Sequence, residues 1–475
     1  MGQFADRLYA LSPPFVQNAV VSAYGARARR ERFGAAFDRA IEFLERSERW
    51  SRAELRAYQD ERVGAIVAHA YETVAFYRER MDALGLAPRD VRSVDDLPKL
   101  PIVTRADLAA HGARMVTTAT PRPRLWSVTT SGTTGAPVSV RWDHGVVVMT
   151  NACLWRARRW AGFEFGRPYA TLLGRLVVPA EATRPPYWRV NRSWNQLLLS
   201  PLHVTAETAT RYLEAMRDFG VEALEAYPSS AYVLARHARA ARGRLNLRAV
   251  FTTSEPLLPA QREVIEERFG CRVFDAYGQA ERVMFSSECE AHDGHHLFEQ
   301  YGVTEIVDDR GAPVHPGSPG RVVATSLHNL GMPLIRYELR DATAMAARSC
   351  PCGRTLALTK GVATKEEDLL VAEDGRLVSP SLLTGVFKDA LRVAESQIVQ
   401  RERGEVTVRI VRLDGYTDDD ERLIAHGLRA RLGERATVRF EYVSDIPRSA
   451  RGKFRWVIST APVSWGRGGG GAAAL

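Results

Sequence analysis

Between about residues 125 and 360, strand-like runs alternate with helical ones, and this alternation limits the possible folds more tightly than any other pattern in the chain. The strand-like runs are Tyr169 to Leu173, Ala223 to Ala226, Ala249 to Thr253, Arg272 to Ala276 and Gly320 to Thr325; helices are expected at Thr208 to Phe219, Ser230 to Arg242 and Pro259 to Phe269. The expected fold class is therefore α/β with a mainly parallel sheet. Residues 1–95 read as a helical start, with Ala35 to Arg49 and Arg52 to Leu84 as helices. After Asp368 the pattern changes. Strands at Ser396 to Gln400 and Val406 to Leu413, a helix from Asp418 to Leu432 and a strand from Thr437 to Val443 suggest a small α+β unit. The expected organisation is a large domain over residues 1–366, a small domain over 367–462 and a disordered Gly/Ala tail over 463–475.

The chain has 475 residues, 45% of them hydrophobic, and a net charge of +9, with its arginines spread among acids. That balance favours a small anionic substrate over a nucleic-acid groove. No apolar run reaches the roughly 18 residues of a spanning helix and no signal-peptide pattern opens the chain, so a cytoplasmic protein is expected. Phe15 to Tyr24 reads either as a membrane-surface stretch or as a packing helix. Oligomeric state is open, a dimer included.

Residues Thr129-Thr130-Ser131-Gly132-Thr133-Thr134-Gly135-Ala136-Pro137 form a hydroxyl-dense, glycine-hinged stretch between two apolar runs. It reads either as a polar hairpin turn or as a phosphate cradle, in which the glycines bring N–H groups to an anion and the hydroxyls donate to its oxygens. A Walker A ending is absent. Lysine occurs only at positions 99, 360, 365, 388 and 453 among 65 basic residues. Lys453 lies in a loop near the C-terminus, and an ammonium on a flexible stem can deliver a point charge to one reacting oxygen, where a guanidinium is a rigid fork. Thr252 to Pro256 and Asp275 to Glu281 follow successive strands, where open α/β sheets collect ligands. Asp341 offers a carboxylate suited to a diol.

In this order the clusters resemble the adenylate-forming superfamily, and more narrowly its phenylacetate-CoA ligase-like branch, which includes proteins of capsular polysaccharide synthesis. Ser131 to Pro137, Tyr277-Gly278-Gln279-Ala280-Glu281, Ile335-Arg336-Tyr337 with Asp341, and Arg451-Gly452-Lys453 carry the resemblance, together with Trp50, Phe76-Tyr77 and Asp96 to Pro101. It implies that ATP activates a carboxylic acid as an acyl-adenylate, with coenzyme A as the usual acceptor. It further implies that Thr130 to Gly135, with Thr134 among the catalytic groups, hold the β- and γ-phosphates, that Glu281 binds Mg²⁺, and that Lys453 bridges the α-phosphate and the carboxylate. Ser254, Glu255, Pro256, Ala276, Tyr277 and Gly278 would surround adenine, and Asp341 the ribose.

Relatives swing the small domain about a Gly-Arg-x-Asp-Asp hinge. Here the matching stretch is Thr364-Lys365-Glu366-Glu367-Asp368, with Lys365 retaining charge, and Ala136 replaces a lysine common in the phosphate loop. An acceptor other than coenzyme A (a sugar, an amine or a carrier protein) is the alternative these departures raise, and a non-catalytic binding protein is a third. Cys289, Cys350 and Cys352 with His295 or His296 make a candidate structural zinc set; similar proteins of the branch carry such a set, and His296 is preferred. Cys153 and Cys271 read as core. Tyr227, Ser229 and the Trp155 to Trp160 segment are candidates for the acyl pocket, or for core.

Overall fold

The computed structural model describes residues 8–130, 138–174, 177–179, 182–238, 245–359, 364–365, 368–375, 377–378, 380–387, 392–448 and 454–463. Helices at Pro14–Arg32, Ala35–Ser47, Arg52–Thr73 and Ala75–Ala83 open the chain. The continuous helix expected from Arg52 to Leu84 is broken at Val74, which is extended at φ −123° and ψ 109°. Val74 is fully buried, so packing of its β-branched side chain overrides the helical pattern around it. Ser51 starts the Arg52–Thr73 helix by accepting from the Glu54 N–H, while Glu54 caps in return.

An antiparallel hairpin, β1 (Trp126–Thr130) and β2 (Val138–Trp142), precedes the helix His144–Trp160. A nine-stranded sheet follows. It contains β3 (Tyr169–Leu172), β4 (Trp188–Asn191), β5 (Gln196–Leu199), β6 (Ala223–Ala226), β7 (Ala249–Thr253), β8 (Arg272–Gly278), β9 (Phe285–Glu288) and β10 (His295–Leu297), and it is completed by a strand at Leu358–Thr359. The five central strands, in the order β5-β3-β6-β7-β8, are parallel, and the edges turn antiparallel. Helices Ala206–Phe219, Pro228–His237 and Pro259–Phe269 make the crossovers. The second of these was expected at Ser230 to Arg242; it starts two residues earlier, where Pro228 suits the first turn.

A second, antiparallel sheet joins β11 (Gly302–Val307), β12 (Pro319–Ser326), β13 (Tyr337–Ala344), and, past β14 (the Leu358–Thr359 strand), β15 (Thr364–Lys365). Its apolar face packs on the opening helices, with Val63, Ile66, Tyr77, Val303, Val322 and Tyr337 in one core. The ribbon β16 (Leu370–Val371) and β17 (Leu377–Val378) leads into a last sheet of β18 (Val393–Glu402), β19 (Glu405–Arg412), β20 (Thr437–Tyr442) and β21 (Val457–Ser459). The helix Asp418–Leu432 covers it, burying Ile424 and Leu428 against Ile398, Val406 and Val408. Among the described residues no helix is long and apolar enough to cross a membrane.

Candidate functional site

The carboxyl ends of β6, β7 and β8 lie side by side, with Ala226 opposite Thr252 and Thr253 opposite Ala276. From these ends emerge three of the segments singled out in the sequence: Tyr227 to Ser229, Ser254 to Pro256, and Tyr277 to Glu281. A parallel sheet points its strand ends at a common crevice, which is why segments so far apart in sequence converge.

Ser254 takes φ +71°, a left-handed conformation that costs a non-glycine residue about 1 kcal/mol. The turn so formed presents Glu255. One oxygen of its carboxylate accepts the Ser229 N–H, at the start of the Pro228–His237 helix, at 3.2 Å; the other accepts the Phe454 N–H at 2.8 Å. A helix N-terminus favours the carboxylate. Phe454 is the residue after Lys453, so Glu255 holds the end of the C-terminal loop against the strand-end crevice.

The Tyr277 hydroxyl donates to Oδ2 of Asp341, tying β8 to β13 across the two sheets. Burial first, then the Asp341 charge, raises the Tyr277 pKa well above its ordinary value, so the phenol stays a neutral donor. The Glu281 charge adds to that rise and, after burial, also raises Tyr337. Lys365 pairs through its backbone opposite Asp341. Asp368, just beyond, accepts from Arg455 at 2.9 Å. The hinge-like stretch is thus fastened to the second sheet at one end and to the C-terminal loop at the other.

Beneath the crevice Thr252, Asp275 and His295, members of clusters noted in the sequence, form a buried polar layer with Arg262 and Glu288, which were not singled out. Asp275 accepts from Thr252 Oγ1, its N–H donates to Glu288 at 2.9 Å, and Arg262 grips Glu288 at 2.7 Å. The available signal was an acid inside the apolar run Arg272 to Ala276. His295 belongs to this layer, 3.4 Å from Asp275.

His296 instead joins Cys289, Cys350 and Cys352, whose ligand atoms all lie within 4.8 Å of one another. The Cys289 and Cys350 sulfurs are 3.6 Å apart, close to the roughly 3.7 Å edge of a tetrahedral zinc–thiolate site. His296 Nε2 lies 3.3 Å from Cys352 Sγ, and Nδ1 lies 3.3 Å from the Leu356 carbonyl, the second contact that fixes a metal-binding tautomer. Three sulfurs and one imidazole suit Zn²⁺.

Other expectations resolve differently. Trp155 is 1% exposed in a core with Phe163 and Tyr169, in keeping with the core alternative for that segment; Trp160 packs edge-on against His296. Cys153 is core, as expected, and Cys271 half-buried. Tyr227 is buried, leaving Ser229 as the more accessible of that pair. Arg336 is a structural hub: it pairs with Glu305 at 2.9 Å and donates to the Leu100 carbonyl at 2.7 Å. Thr130 is described for its backbone, opposite Val138. Ser131, Gly132, Thr133, Thr134 and Gly135, like Lys453, lie outside the described residues.

A crevice at parallel strand ends, met by a loop from a small C-terminal sheet, is the architecture of an AMP-forming carboxylate ligase. The model of the AMP-binding enzyme family matches residues 56–330, more than half of the chain, and the CapK C-terminal domain matches residues 370–460. The chain belongs to the AMP-binding enzyme family. It is 29% identical to a phenylacetate-coenzyme A ligase of Thermus thermophilus, covering 86% of this chain and 97% of the relative, and 23% identical to protein CapK of Staphylococcus aureus, covering 95% and 98%. A solved 2-hydroxyisobutyryl-CoA ligase in a postadenylation state shares the fold, with a TM-score of 0.68 at 22% identity over 87% of this chain and 91% of that one.

Proposed function

We propose that this enzyme uses ATP to activate a small carboxylic acid as its acyl-adenylate and passes the acyl group to coenzyme A. In the first step a carboxylate oxygen attacks the α-phosphorus and pyrophosphate leaves; in the second a thiolate attacks the acyl carbon and AMP leaves. The observation that supports this reading is Glu255, which joins the strand-end turn to Phe454, the residue that follows Lys453 in sequence. Positioning and charge stabilisation suffice for both steps, and no covalent enzyme intermediate is required.

In this reading Thr130 to Gly135 cradle the β- and γ-phosphates, Thr134 and Lys453 stabilise developing charge, and Tyr277, Ser254, Pro256, Ala276 and Gly278 surround adenine. Asp341 takes the ribose hydroxyls, with Tyr277 orienting it through their hydrogen bond. Glu281 would hold Mg²⁺, which supplies charge neutralisation on the phosphates. Cys289, His296, Cys350 and Cys352 would hold a structural Zn²⁺, away from the chemistry. Ser229 is the candidate wall of the acid pocket. The boundary between the large and small domains is read between residues 366 and 367. The cytoplasm, where ATP, coenzyme A and reduced thiols coexist, is the expected compartment.

The matched CapK C-terminal domain, with Thr364 and Lys365 in the hinge, supports keeping the alternative acceptor, a sugar, an amine or a carrier protein. The test is Mg²⁺- and ATP-dependent pyrophosphate release over aryl, arylacetic, fatty and sugar acids, with and without coenzyme A. A thioester product supports the first reading; release without thioester supports the second. Lys453→Ala should abolish release, and near wild-type release would overturn its role.

A further inference from the structure

The two faces of the central strands β6, β7 and β8 meet different surroundings. On one face Leu224, Ala226 and Val250 are fully buried and Thr252 and Asp275 are 1% exposed, as the interior of a nine-stranded sheet should be. On the other face, turned toward the helix His144–Trp160, Glu225, Phe251, Thr253 and Ala276 are all only half-buried. Successive residues of a strand point to opposite faces, so the exposure belongs to one side of the sheet. An opening between this face and the helix therefore runs inward from the strand ends, where the segments beginning at Tyr227 and Ser254 emerge.

Glu225 is the acid on the floor of that opening. Its Oε1 pairs with Arg158 of the helix at 2.6 Å, and its Oε2 accepts the Thr171 hydroxyl of β3 at 3.1 Å. Gln196 donates to the Thr171 oxygen at 2.8 Å, which leaves the hydroxyl proton for Glu225. Arg158 is held in turn over the Trp155 ring, 4.5 Å from its centre, and its side chain is 3% exposed. The carboxylate is thus fixed on two sides while the Glu225 side chain keeps 14% exposure. Each carboxylate oxygen offers about two acceptor sites, and these partners use one on each. The neighbouring Phe251 and Ala276 side chains on this face have no polar atoms to fill the rest.

We propose, building on the acid activation described above, that Glu225 sets the substrate class: the acid carries a hydroxyl remote from its carboxylate, and that hydroxyl donates to Glu225. Two residues of strand separate Glu225 from Tyr227 at the strand end, a depth of roughly 7 Å. An acid whose carboxylate lies at the crevice crosses that depth with one ring or a short chain. Arg158 already balances the Glu225 charge, so a neutral donor fits where an ammonium would bury an unbalanced charge. An unsubstituted acid would cover the carboxylate and leave its open acceptor sites unpaired, which selects against it.

Matched acids test this through ATP-dependent pyrophosphate release: phenylacetate with para-hydroxyphenylacetate, and pentanoate with its terminal hydroxy and terminal amino derivatives. In one pair or both, the hydroxylated acid should have a kcat/KM at least about tenfold above its unsubstituted partner. Glu225→Leu with Arg158→Met removes both charges together and should erase that preference, whereas Glu225→Gln, which keeps an acceptor, should retain part of it. If the wild type prefers the hydroxylated acid in neither pair, this assignment falls and acid activation stands, whatever the variants do. A folded double variant that keeps the wild-type preference also overturns it, as does a preference for the amino over the hydroxy derivative. Release with none of these acids would overturn acid activation itself, and the role of Glu225 with it.

Discussion

Glu255 and Phe454, 199 residues apart, are joined by a 2.8 Å hydrogen bond from the Phe454 N–H to the Glu255 carboxylate. The same carboxylate accepts Ser229 N–H, so one side chain fastens the Pro228–His237 helix, the turn after β7 and the C-terminal loop together. A charged acceptor makes such bonds stronger than neutral ones.

Glu255→Ala should therefore slow adenylate formation about tenfold to a hundredfold, the equivalent of about 1 to 3 kcal/mol of lost hydrogen bonding. Conversion of a chemically prepared acyl-adenylate to product should keep its wild-type rate. Single-turnover kinetics of each half-reaction measure the split, and an equal loss in both would mean that Glu255 serves folding alone.

The parallel core was legible because short strand-like runs, observed as β6 at Ala223–Ala226 and β7 at Ala249–Thr253, alternate with helical ones. The break at Val74 was not, because only tertiary packing selects an extended residue inside a helical pattern. Of the site, the strand-end clusters and the Cys/His set are each weak signals alone, and became legible through the order of the motifs and the resemblance it carries. The preference for His296 over His295, from its Gly-x-His placement, is supported by geometry: adjacent strand residues point to opposite faces, one to the thiols and one to Asp275. The roles of Glu255 in gripping Phe454 and of Arg336 in gripping Glu305 were invisible, because neither partner is near in sequence.

The thiol cluster predicts one zinc per chain in protein purified without chelator. Cys350→Ser should lose the metal and lower the melting temperature by several degrees, because the remaining ligands no longer close the tetrahedron that links β9, β10 and the Cys350–Cys352 loop. Elemental analysis and calorimetry on the two proteins check it. A metal-free wild type with the same melting temperature as the variant would remove zinc from the structure.

Arg336 and Glu305 form a buried pair, with side chains 4% and 11% exposed. Burial pushes the Glu305 carboxyl up and Arg336 pulls it back. Arg336→Met would leave that acid uncompensated and cut the bond to the Leu100 carbonyl, at a cost of about 3 to 5 kcal/mol. Adding Glu305→Gln should restore part of the loss, a coupling that urea midpoints of the two single variants and the double variant measure directly.

His328 sets a pH dependence of stability. Burial, with the Arg62 guanidinium, pulls its pKa down to about 4 against the opposing pull of the Gln300 carbonyl, which lies 2.8 Å from Nε2. An unfolded histidine titrates near 6.5, so between about pH 6.5 and pH 4 the unfolded chain binds a proton that the folded one refuses. The stabilisation is complete above 6.5 and is lost as pH falls through that window, by on the order of 3 kcal/mol. His328→Gln keeps a donor for the Gln300 carbonyl and cannot be protonated. Urea titrations at a series of pH values between 7.5 and 4.5 should then show a shallower decline in the variant than in the wild type, and parallel declines would mean that the imidazole is protonated in the folded protein.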